Sequence, residues 1–143
     1  MSFGDVRREH LPDGRTRFQA GDGSFVFRRL RPGALLVTIG GNDAGQFGTH
    51  TLDEIRQEIQ RHPPLELFVD ARDAVGVAVS VSEEWTRFFS MNRSQLTRVS
   101  VLVSSRLVSL TVAIAQHLSR TGNLIQIYSD PETFDARLSA LRS

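Results

Sequence analysis

Short apolar runs of β character alternate with stretches of helical period along most of this chain. The run at its middle, Leu65 to Asp70 (LELFVD), constrains the fold most. Six residues rich in Leu, Phe and Val and ended by a carboxylate are too few for a buried helix and suit an interior strand. A helical pattern precedes the run, and helix and strand alternate after it. It is therefore expected at the centre of an α/β sheet, since parallel neighbours need a crossover of helix length. A chain of 143 residues, 40% of them hydrophobic, suits one domain that buries roughly two-thirds of its unfolded surface.

The segment 1–14 is polar and charged and is expected to be loosely ordered, with the domain running over 15–143. Thr16 to Gln19 and Ser24 to Leu30 flank Ala20-Gly21-Asp22-Gly23, which has the residue types of a hairpin turn. Regular alternation puts Arg15 and Arg17 on one face with Arg28, near Arg29 and Arg31. That face is either a basic patch for an acidic partner or a solvated sheet surface. After an apolar strand, Ala34 to Ile39, comes Gly40 to Gly48, which matches neither GxGxxG nor GxxxxGK[ST] and reads as a connector. Thr51 to Arg61 is a helix, with Thr51 and Glu54 spaced as a capping box and His62-Pro63-Pro64 ending it.

Beyond the central strand, Ala71 to Val79 reads as a connection. A second helix follows over about Ser82 to Leu96, capped by Ser80 or Ser82, with Trp85, Phe88, Phe89 and Leu96 as its apolar stripe. Arg98 to Val103 is the next strand. A third helix, about Arg106 to Arg120, carries Leu107, Leu110, Ile114 and Leu118 on one side. Its second stripe, Val108, Val112 and Ala115, marks a candidate partner surface. Leu124 to Tyr128 is the last strand. Asp130 and Pro131 open a final helix as N-cap and first residue, and Phe134, Leu138 and Leu141 dock it.

Composition narrows the chemistry. The formal net charge is +1, so no overall basicity argues for nucleic acid. There is no cysteine, and all 17 basic residues are arginine. Disulfides, thiolate nucleophiles, Schiff bases and the lysine of a Walker-type loop are thereby excluded. His10, His50, His62 and His117 show no metal-ligand spacing, and no GxSxG elbow is present. Asp70 and Asp73 stand at a strand's C-terminal end, where α/β sites often lie, but salt bridges with Arg72 are the simpler expectation. No apolar run approaches the ~18 to 20 residues of a membrane span. A cytoplasmic protein without cofactor, metal or nucleic-acid partner is expected.

The order hairpin, β, α, β, α, β, α, β, α resembles the STAS domain of anti-sigma-factor antagonists. More closely it resembles the related SpoIIAA-like proteins, whose fold is similar to half of a CRAL-TRIO lipid-binding domain. The stretches that carry the resemblance are LFVDARDAVG (Leu67 to Gly76), RVSVLVSS (Arg98 to Ser105) and IQIYSDPETFDARLSAL (Ile125 to Leu141). It implies an α/β fold: a mixed β-sheet with about four helices, preceded by a β-hairpin. In the antagonists, a serine in an Asp-Ser-Ser-Gly motif at the start of the second helix is phosphorylated by a partner kinase. Counted without gaps from Asp70, that motif falls on Ala78-Val79-Ser80-Val81, where only Ser80 matches. A phosphate there would meet the attraction of a helix N-terminus and the repulsion of Glu83 and Glu84.

Three functions follow as expectations. The first is a non-catalytic regulatory interaction domain of bacterial signalling type, binding a protein partner or a second copy of itself, with Ser80 or Ser82 as candidate phosphorylation sites. The second is a binder or sensor of a small apolar or lipid ligand, with Trp85, Phe88 and Phe89 walling the pocket. The third is an enzyme of unrecognised type.

Overall fold

Among the described residues, seven strands form one mixed sheet in the order in which they occur along the chain. The structure, a computed structural model, describes residues 6–103 and 123–142. The first four strands are an antiparallel meander: β1 (Arg7–His10), β2 (Thr16–Ala20), β3 (Gly23–Arg31) and β4 (Ala34–Asp43). From β4 the sheet runs parallel through β5 (Leu65–Val77), β6 (Leu96–Val103) and β7 (Ile125–Tyr128). β5, which begins with LELFVD, is interior, hydrogen-bonded to β4 on one side and β6 on the other.

Helix α1 (His50–Arg61) crosses from β4 to β5 and α2 (Val79–Met91) from β5 to β6. A row of parallel strands that advances one place at a time, with crossovers of one hand, lays its helices on one face. Accordingly Leu52, Ile55 and Ile59 of α1 and Phe88 and Phe89 of α2 share one core with Leu65, Leu67, Val69 and Ala71 of β5. Phe68, alternating to the other face, packs with Leu102 against Phe134 and Leu138 of the final helix, α3 (Pro131–Arg142). Burying Phe134 and Leu138 contributes roughly 1.5–3 kcal/mol each. Asp130 caps α3 as expected: its carboxylate accepts the Glu132 and Thr133 backbone N–H groups, both at 3.2 Å.

Several expectations are corrected. Three α-helices stand among the described residues where about four are implied, and the segment Arg106 to Arg120, with its candidate surface Val108, Val112 and Ala115, lies outside them. Residues 7–10, inside the segment expected to be loosely ordered, form β1; Glu9 accepts from Arg17 at 3.0 Å, and Arg8 reaches Glu54 of α1 at 3.3 Å. The stretch after Asp70 is not a connection. β4 continues to Asp43 and β5 to Val77, through register shifts that let Gly40 and Gly41 pair with Asp73 and Ala74. Glycines tolerate this because the hairpin backbone lies against them. A Cβ on Gly41, whose φ is +72°, would stand 1.8 Å from the Asp22 carbonyl oxygen.

The helix starts also differ. Thr51 lies inside α1 and makes no capping box. Thr49 is the N-cap, and its hydroxyl donates to the Asp53 carboxylate at 3.0 Å. Likewise α2 begins three residues earlier than expected, with Ala78 as N-cap. The Ala78 N–H completes the sheet by donating to the Asp43 carbonyl at 2.9 Å, which sets where the chain turns into helix. α2 ends at Met91, and Leu96 belongs to β6.

Candidate functional site

The corner where β5 passes into α2 gathers most of the residues with functional potential. Ser80 is the second residue of α2 and is exposed. Ser82 is buried, and its hydroxyl donates to the Val79 carbonyl at 2.9 Å. Neither serine caps the helix. The same corner exposes Val75 (56%) and Val79 (63%), two of the three large apolar side chains left open among the described residues; the third, Met91, ends α2. Glu83 and Glu84 are exposed one turn further on.

Beneath α2 lies a cavity of about 70 Å³. Phe25, Ile39, Val69 and Val101 line it from the sheet, and Val81, Trp85 and Phe89 from the helix. Phe88 does not line it: that ring packs beneath the Arg56 guanidinium of α1, 5.3 Å from its centroid. Trp85 stacks on Phe25 with ring centroids 5.8 Å apart and meets Phe89 edge-on at 5.9 Å.

The polar groups on the lining belong to Asp43, Ser82 and Thr86, with the indole N–H of Trp85. The Thr86 hydroxyl is already spent on the Ser82 carbonyl at 2.8 Å. Asp43 is 4% exposed, and its Oδ1 accepts the Gly45 N–H at 2.9 Å. Burial pushes its carboxyl above the usual carboxylate range; the Gly45 N–H opposes this, and the charge of Glu84 adds to it. Asp43 was not singled out from the sequence. The available signal was an acidic residue ending an apolar run, ALLVTIGGND, at the C-terminal edge of a parallel sheet.

Asp70, by contrast, is held in an ion pair. Asp70 accepts from Arg72 Nε at 3.0 Å, and Arg72 Nη2 continues to Asp135 of α3 at 2.6 Å. The two carboxylates raise the Arg72 pKa and tie α3 to the centre of the sheet. Asp73 is exposed and stands apart from Asp70 on the strand. Among the described residues no group of three or more His, Asp or Glu gathers in metal-holding geometry. Three of the five hairpin arginines are likewise committed, Arg15 to Asp13, Arg17 to Glu9, and Arg29 to Glu58, while Arg28 and Arg31 are exposed. In the stretch 40–48, Gly40 and Gly41 serve close packing, and Gln46 Nε2 donates to the Ala20 and Asn42 carbonyls at 3.2 and 2.7 Å. No helix among the described residues is long and apolar enough to cross a membrane.

No protein-family model matches the chain, and no curated protein matches it. Among solved structures it is similar to an uncharacterised protein of the DUF3478 family with a SpoIIAA-like fold from Shewanella loihica PV-4. The TM-score is 0.54 at 12% identity, over 84% of this chain and 96% of that one. At that identity the likeness is one of architecture alone. The chain has a SpoIIAA-like fold.

Proposed function

We propose that the chain is a non-catalytic regulatory domain of STAS type that recognises a protein partner through the β5–α2 corner. The observation that carries this reading is the pairing of exposed Val75 and Val79 with the accessible Ser80 hydroxyl in one short stretch. The SpoIIAA-like fold supports it. A partner that covers both valines gains roughly 2 kcal/mol from apolar burial alone, since each is already about half buried. Exposed Glu83 and Glu84 favour a partner surface with basic groups. Phosphorylation of Ser80 would add about two negative charges at the edge of that contact and so set its affinity.

The test is capture on the immobilised full chain from extract of its native cell, with Val75→Glu/Val79→Glu alongside. The double variant should unfold at the wild-type temperature and lose its stoichiometric partner. Retention of the same partner at the same stoichiometry refutes the reading. Phosphopeptide mapping should find Ser80 and not the buried Ser82.

A second reading, a sensor of a small apolar ligand, is supported by the cavity that Trp85 and Phe89 wall. Its volume suits a short chain and not a folded lipid tail, being under half that of the ~150 Å³ apolar cavity that holds benzene.

A further inference from the structure

Asp43 is the group in the cavity whose bonding is incomplete. A carboxylate offers about four acceptor sites. One oxygen of Asp43 accepts from Gly45, and among the described residues no donor reaches the other and no cation pairs with the side chain. Nor can the hydroxyls beside it help, because those of Ser82 and Thr86 already donate to carbonyls within α2. Asp43 is only 4% exposed and lines the cavity. A buried carboxylate without a counter-charge is costly to keep, and a second anion, Glu84, adds to the negative potential on the same side. The rest of the lining is apolar apart from those two hydroxyls and the indole N–H of Trp85.

We infer that this cavity is a binding site for a short alkylammonium, whose cationic head meets the free Oδ2 of Asp43 and whose alkyl body lies against Trp85, Phe89 and Val69. The inference rests on the second reading above and adds to it the class of ligand. Charge selects the head, since an ammonium supplies both the missing donor and the missing counter-charge in one charge-assisted contact. Volume selects the body, since about 70 Å³ excludes a long acyl chain.

The experiment titrates n-butylammonium and, separately, 1-butanol into the full chain and follows the emission of Trp85, its single tryptophan. Butylammonium is expected to give a saturable change at least ~tenfold tighter than 1-butanol. Asp43→Asn should remove that preference while 1-butanol binds within about twofold of wild type, and Val81→Phe, which fills the cavity, should abolish both responses. Thermal unfolding establishes that each variant is folded; should Asp43→Asn fail to fold, the comparison of the two ligands on the wild type decides alone. Equal binding of amine and alcohol, or a preference that survives Asp43→Asn, overturns the inference and leaves the second reading standing. No saturable response to either ligand overturns both.

Discussion

Replacing Arg29 with methionine strands the one acidic side chain that α1 turns into the core. Glu58 is 5% exposed, and Arg29 on β3 clasps it with two bonds, Nε to Oε2 at 2.5 Å and Nη2 to Oε1 at 2.7 Å. Removing one partner of a buried ion pair costs about 3–5 kcal/mol. The Arg29 side chain, however, is 43% exposed, so water takes over part of its work and about 2 kcal/mol is expected. For a domain of this size that lowers the melting temperature by roughly 4–8 °C.

The pH dependence gives the sharper test. Arg29 holds the Glu58 carboxyl below its ordinary range, so the stabilisation is complete above the ordinary Glu value and is lost as pH falls through the depressed folded value. In Arg29→Met desolvation is opposed only by the smaller attractions of His62 and Arg61, and acid relieves the stranded charge. The deficit relative to wild type, read from urea midpoints at a series of pH values, should therefore be largest near neutrality and shrink toward pH ~3.5. A deficit that stays constant across that range, or one below ~0.5 kcal/mol at neutrality, refutes the reasoning.

Other substitutions probe other joints. Phe134→Ala should cost about 3–5 kcal/mol in urea denaturation, because the ring is fully buried and meets Phe68 and Tyr128 edge-on; a loss under ~1 kcal/mol would mean α3 is not docked as described. Gly41→Ala should cost more than ~2 kcal/mol, through positive φ and the Asp22 carbonyl, whereas Gly45→Ala, facing open space, should show the φ cost alone; equal losses would contradict the close hairpin contact. Asp43→Asn should raise stability at neutral pH. Because the folded carboxyl is raised, wild-type stability falls as pH climbs from the ordinary Asp value through the raised one, and the variant's curve should lack that fall.

The sheet's middle and its final helix were legible in the sequence because local signals there agree with the packing. LELFVD reads as an interior strand and lies in one, and Asp130-Pro131 reads as a helix start and caps α3. The far ends of β4 and β5 were not legible. Gly40, Gly41 and Gly76 argue locally against strand, and only the approach of Ser24 to Gly40, of the Gly21–Gly23 turn to Gly41 and of Asn42 to Gly76 favours glycine there. The start of α2 was displaced for a related reason: the completed ladder between Asp43 and Ala78, not a serine side chain, sets where it begins. Trp85 and Phe89 could be read onto the cavity from helical period. Phe88, one residue earlier, falls about 100° round the helix and goes to α1. Asp43 escaped notice because its significance is burial, which no spacing encodes.

Hydrogen exchange of the full chain, alone and with its captured partner, tests the proposed recognition surface most directly. Partner-dependent protection should be confined to the β5–α2 corner, about residues 75–84, and should vanish in Val75→Glu/Val79→Glu. Protection centred instead on the β1 edge or on α3, with the corner unchanged, would contradict it.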